Sequence, residues 1–123
     1  MPNKLHIYVA GPYTAAKLDG LERNAKAAID AGIAILKKGH IPFIPHLTHY
    51  VDLRAHELDI EISWAEYMKW DEAWLDKCDA LLYLGPSRGA DIELSRAMIK
   101  GLQIFYSLTE IPANVEEFTP KAS

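Results

Sequence analysis

Four short strand-like runs, separated by stretches of helical period, limit this chain to very few folds. Leu5-His6-Ile7-Tyr8-Val9-Ala10 is β-prone and is stopped by Gly11-Pro12. From Leu21 to Lys38 the apolar residues Leu21, Ala25, Ala28, Ile29, Gly32, Ile33 and Leu36 recur at helical spacing, and Gly39 then ends the helix. Ile41–Ile44 is a second strand that Pro42 assigns to a sheet edge. Pro45–Ile60 reads as a polar, histidine-bearing loop with at most a turn of helix. Ile62–Lys77 is helical, Ala80–Leu84 is the most strand-like run, Gly85–Ala90 is a loop, Asp91–Lys100 a helix and Gln103–Tyr106 a last strand.

Strands alternating with helices predict an α/β fold, a four- or five-stranded parallel sheet with helices on both faces. Right-handed crossovers suggest the flavodoxin-like order two-one-three-four, as one domain over residues 1–108 with an irregular tail from 109 to 123. In that order a crevice opens between the loops after strands one and three. Those loops are Gly11-Pro12-Tyr13-Thr14 and Gly85–Ala90, and the site is expected there.

Composition narrows the partner. A chain of 123 residues with half its residues apolar has a core, and its net charge of -4 gives nothing that favours a nucleic-acid backbone or an anionic membrane as partner. A small nucleotide remains possible because a helix N-terminus can hold a phosphate. Cys78 is the single cysteine, which excludes an intrachain disulfide and fits a reducing cytoplasm. Leu5–Ala10 is too short for a signal peptide or a membrane span, so a cytoplasmic protein is expected.

Few residues in this frame can carry chemistry. Glu93 is expected in the first turn of the helix after strand three. There it either complements the helix dipole or, held ionised by exposed amides, serves as a nucleophile. On the helix from Ile62, the residues Trp64, Tyr67, Met68, Leu75 and Cys78 share a face, and Asp71 falls in the middle of it. A carboxyl so placed is either satisfied by a neighbour or is a general acid of raised pKa. Ser87, Arg88 and Gly89 run into a helix N-terminus and could meet a phosphate, although neither a P-loop nor a Gly-x-Gly-x-x-Gly pattern is present. Gly11 and Pro12 border the crevice, and Tyr13 could place a hydroxyl in it, whereas Tyr8 reads as core. Asp79 reads first as a turn or cap residue, with ligand contact as the alternative. His46-x-x-His49 could bind a metal, but no glutamate follows His46 as a His-Glu-x-x-His motif requires, and wall histidines are the preferred reading. Trp64, Trp70 and Trp74 are expected in the core or at a subunit interface.

Taken together, Gly-Pro-Tyr after strand one, the Asp-x7-Asp stretch from Asp71 to Asp79, and Ser-x-Gly-x3-Glu from Ser87 to Glu93 resemble the nucleoside 2-deoxyribosyltransferase superfamily. The nearest likeness is to the 2'-deoxynucleoside 5'-phosphate N-hydrolases and relatives with a Ser-Arg-Gly-Ala-x-x-Glu signature, over roughly residues 5 to 106. The resemblance implies that Glu93 attacks the anomeric carbon, that Asp71 assists at the base, and that Tyr13 orients the nucleophile. It also implies that Ser87, where the transferases carry aspartate, favours a 5'-monophosphate and water as acceptor. A homodimer or larger homo-oligomer follows from the same likeness, and no metal or redox cofactor is needed. Base exchange, and a nucleotide-sensing module without catalysis, are the alternatives. A flavin site is weaker, since no aromatic-flanked phosphate loop follows strand one.

Overall fold

The computed structural model describes residues 4–13 and 18–114; Thr14 of the first crevice loop and residues 115–123 of the expected tail lie outside them. Strand β1 (His6–Ala10) is buried from Ile7 onward because the sheet is covered on both faces. It pairs in parallel with β2 (Ile41–Phe43) on one side and β3 (Ala80–Tyr83) on the other, and β3 pairs in parallel with β4 (Gln103–Phe105). The order is β2-β1-β3-β4, the flavodoxin-like order, with four strands among the described residues. Pro42 does sit on an edge strand, where its missing N–H costs no ladder bond.

Side-chain alternation along β1 divides the core. Ile7 and Val9 pack with Ala28, Ala31 and Ile35 of α1 (Leu18–Lys37) and with Leu82, Phe105 and Ile111. Tyr8 and Ala10 point to the other face, where Leu75 of α3 (Trp64–Leu75) and Ala90 and Ala97 of α4 (Arg88–Ile99) cover Leu81. None of the described helices is long and apolar enough to cross a membrane.

Four expectations need correction. The loop expected over Pro45–Ile60 is mostly helix: a 3-10 turn at Pro45–Leu47 leads into α2 (Thr48–Glu57). Its amphipathic signal is weak because its buried positions are filled by His49 and Ala55 rather than by large aliphatics. Helix α4 begins at Arg88, three residues before the expected start. Ser87 is its N-cap, with its hydroxyl accepting from the Ala90 amide at 3.0 Å, and Glu93 therefore lies in the second turn. None of the tryptophans is core, since Trp64, Trp70 and Trp74 remain 45%, 41% and 50% exposed. The helix needs only Met68, Asp71 and Leu75 to face inward.

The tail is not irregular throughout. After a 3-10 turn at Leu108–Glu110, Ile111 and Asn114 are buried. The Lys38 ammonium donates to the Ile111 carbonyl, and the His40 Nε2–H donates to the Pro112 carbonyl. Gly39 makes this docking possible: it stops α1 with a φ of +86°, and a Cβ there would stand 1.7 Å from the Asn114 carbonyl oxygen.

Candidate functional site

Chains leaving β1 and β3 diverge toward opposite edges of the sheet, and the Leu84 amide bonds the Ala10 carbonyl at 2.7 Å where they part. Over this point lies a cleft of about 260 Å³. Gly11 and Tyr13 of the first loop line it, with Ser87, Gly89 and Glu93 of the α4 segment and Asp71 of α3. Its outer wall comes from His46, Thr48 and Asp52, and from Ile62, Trp64, Tyr67 and Met68. Position thus brings Glu93, Asp71, Tyr13, Gly11, Ser87 and Gly89 into one cavity at a topological switch point.

Glu93 is 5% exposed, and its Oε2 accepts a short hydrogen bond from the Tyr8 hydroxyl. Burial pushes the Glu93 carboxyl from 4.5 up to about 8; the Tyr8 bond pulls the other way, and the nearby Asp71 adds to the rise. This reverses the electrostatic expectation. The helix dipole acts on the first turn, and a second-turn carboxyl under apolar cover is governed by desolvation instead. Asp71 is also buried, its Oδ1 has no hydrogen-bond partner, and burial alone raises it from 3.8 to about 7. Two acids facing one cavity with raised proton affinities are the arrangement from which acid and base roles are drawn.

The tyrosine that holds Glu93 is Tyr8, not Tyr13. Tyr13 turns its hydroxyl to His49 Nδ1 at 3.0 Å instead. Tyr8 is core, as expected, but its ring lies beside Phe43 on the α4 face and its hydroxyl reaches the Glu93 carboxyl. The strand alternation already carried that signal: Tyr8 and Ala10 share a face, and a tyrosine buried on both sides requires a polar partner.

Three other expected site residues do not line the cleft. Asp79 precedes β3 and so sits at the opposite end of the parallel strands, where its carboxylate accepts from the His6 amide at 2.8 Å. Arg88 projects outward, its guanidinium 4.7 Å from the centre of the Trp64 ring at the rim. Pro12 contributes only its carbonyl, which accepts from His46 Nε2 at 3.1 Å.

His46, read from sequence as a wall histidine, lines the cleft and has a further role. Its buried Nε2–H bridges the carbonyls of Gly11 and Pro12, at 3.0 and 3.1 Å, and so fixes the first crevice loop. Burial lowers its pKa, so the ring is neutral and Nδ1 is an acceptor, which has no partner. Asp52 and Tyr67, bonded through the Tyr67 hydroxyl at 2.8 Å, were also missed. They meet only because the segment after Pro45 folds into a helix. Among the described residues no three His, Cys, Asp or Glu side chains converge as a metal-ligand set.

A family model described as a domain of unknown function (DUF7768) matches residues 5–107, and the chain belongs to that family. No curated protein matches the sequence.

Proposed function

We propose that this chain cleaves the N-glycosidic bond of a nucleoside 5'-monophosphate, with a 2'-deoxy sugar preferred, and releases the free base. The observation that carries this reading is the buried Glu93 carboxyl, held by the Tyr8 hydroxyl beside the unpartnered Asp71 in a cleft at the switch point. The sequence likeness to the deoxyribosyltransferase superfamily supports the same roles.

In the proposed double displacement the one proton held by the two acids has to sit on Asp71, with Glu93 as the anion. Glu93 has the higher proton affinity in the empty site, so the bound nucleotide must draw that proton across to Asp71. Glu93 attacks the anomeric carbon, the C–N bond breaks, and its electron pair leaves with the base, which takes the Asp71 proton directly or through water. The Asp71 carboxylate then takes a proton from water as that water displaces Glu93 from the sugar, restoring both groups. The Tyr8 hydroxyl, already donating to Glu93, stabilises the anion that attacks and later departs. The 5'-phosphate is directed to the α4 N-terminus, where Ser87 and Gly89 line the cleft.

The test is a chromatographic screen of nucleosides and 5'-monophosphates, ribo and deoxy, with and without an added base. Free base without acceptor supports hydrolysis, and products formed only with acceptor would move the assignment to base exchange. The high proton affinity of Glu93 in the empty site favours one other reading, a nucleotide-binding module without catalysis. Ligand-induced thermal stabilisation with no product from any substrate would select it. A homodimer that completes the site is part of the proposal and is checked by light scattering.

A further inference from the structure

The outer wall of the cleft, supplied by α2 and the start of α3, has no part in the bond-breaking steps. Its polar atoms are nevertheless ordered. Asp52 Oδ1 accepts from the Tyr67 hydroxyl at 2.8 Å. Asp52 Oδ2 has only the exposed His56 ring nitrogen nearby, at 3.6 Å, and that nitrogen bonds the Asp52 backbone carbonyl at 2.8 Å instead. A carboxylate offers about four lone-pair positions, so Tyr67 orients Asp52 while leaving most of its accepting capacity open. Among the described residues no lysine or arginine lines the cleft, and the open acceptor of Asp52 favours a ligand that donates hydrogen bonds at this end.

Spacing on α3 says which part of the ligand that would be. Tyr67 and Asp71 are four residues apart and share a helix face, which places them roughly 6 Å apart along the axis. Asp52, bonded to the far end of the Tyr67 side chain, lines the same cleft as Asp71, and the Tyr67 ring as well as the helical turn separates the two carboxyls. A purine laid along this wall with its imidazole side at Asp71 brings its other edge to Asp52.

Resting on the glycosidic reading above, we propose that Asp52 reads the far edge of the leaving base. The site then takes bases with adjacent N–H and NH2 donors, as in guanine, over those offering one donor. Tyr67 is the positioning residue that fixes the Asp52 rotamer. An oriented carboxylate accepting two parallel N–H bonds discriminates, because a base with one donor covers the Asp52 carboxylate without pairing both of its oxygens.

The test measures binding by calorimetry in the Glu93→Gln protein, where bond cleavage does not interfere. The ligands are 2'-deoxyguanosine, 2'-deoxyinosine and 2'-deoxyadenosine 5'-monophosphates. The guanine compound is expected to bind about 10-fold or more tighter than the other two. Adding Asp52→Asn is expected to bring all three within about 3-fold, and adding Tyr67→Phe to narrow the gap without abolishing it. Tyr67→Phe keeps the test decisive if the Asp52 variant fails to fold. Equal affinities in Glu93→Gln, or a guanine preference unchanged by Asp52→Asn, would overturn the assignment of Asp52 while leaving glycosidic cleavage standing. If no nucleotide binds Glu93→Gln and none is cleaved by the unaltered protein, both readings fail together.

Discussion

Replacing Glu93 with glutamine turns the electrostatics of the cleft into a stability measurement. Glu93 ionises near 4.5 when exposed and near 8 in the folded chain, chiefly because burial opposes its charge. Below 4.5 both states are protonated and the group costs nothing. As pH rises from 4.5 to about 8 the unfolded chain gives up its proton while the folded one keeps it, so stability falls across that window and levels off above it. At about 1.4 kcal/mol per tenfold difference in proton affinity, the full loss is roughly 5 kcal/mol. Local relaxation and water entry will reduce this. Glutamine removes the titration and keeps an oxygen that can accept from Tyr8. Glu93→Gln is therefore expected to match the unaltered protein within about 1 kcal/mol at pH 5. At pH 9 it should exceed it by at least about 2 kcal/mol, or about 8 °C in Tm for a chain of this size. Thermal and urea unfolding followed by circular dichroism at pH 5, 7 and 9 provides the numbers. A variant less stable than the parent at pH 9, or one whose advantage does not change with pH, would refute the desolvation account of this carboxyl.

The remaining predictions concern the neighbours of Glu93 and the frame that holds them. Tyr8→Phe deletes the hydrogen bond that the Glu93 carboxyl accepts, and is expected to cost about 1–3 kcal/mol in urea unfolding and about 100-fold in kcat. The rate is expected to follow a bell in pH with its maximum between about 7 and about 8, since one proton must remain on the Asp71–Glu93 pair. A pH–rate profile that is flat from 5 to 10 would contradict this. Gly39→Ala forces a side chain into a left-handed φ and against the Asn114 carbonyl. It should cost more than about 2 kcal/mol in thermal unfolding, and should increase proteolysis of the segment after Ile111.

Much of this was legible in the sequence, and what was not has identifiable causes. Strand order and the location of the cleft followed from alternating periodicities, because a parallel sheet has few ways to bury both faces. Asp71 stood out because a charge within an apolar stripe has to be explained, and it is buried without a partner on Oδ1. Tyr8 was harder to see. An aromatic residue in a β-strand reads as packing, and only the depth of the hydroxyl relative to α4 makes it a partner of Glu93. The shift in the start of α4 came from reading Ser87 and Arg88 as loop chemistry. Ser87 is also a helix cap, and that identity moved Glu93 from the first turn to the second. Asp52 was hidden for another reason: a helix that buries histidine and alanine leaves almost no apolar period to detect.

The central claim is that Glu93 forms a bond to sugar carbon, and a slow substrate exposes this most directly. A 2'-fluoro-2'-deoxy nucleoside 5'-monophosphate, whose fluorine slows release from the enzyme, should leave one glycosyl adduct per chain in intact-protein mass spectrometry. Peptide mapping should place that adduct on Glu93, and Glu93→Gln should form none. Stoichiometric release of base with no adduct, or an adduct on any other residue, would contradict the account.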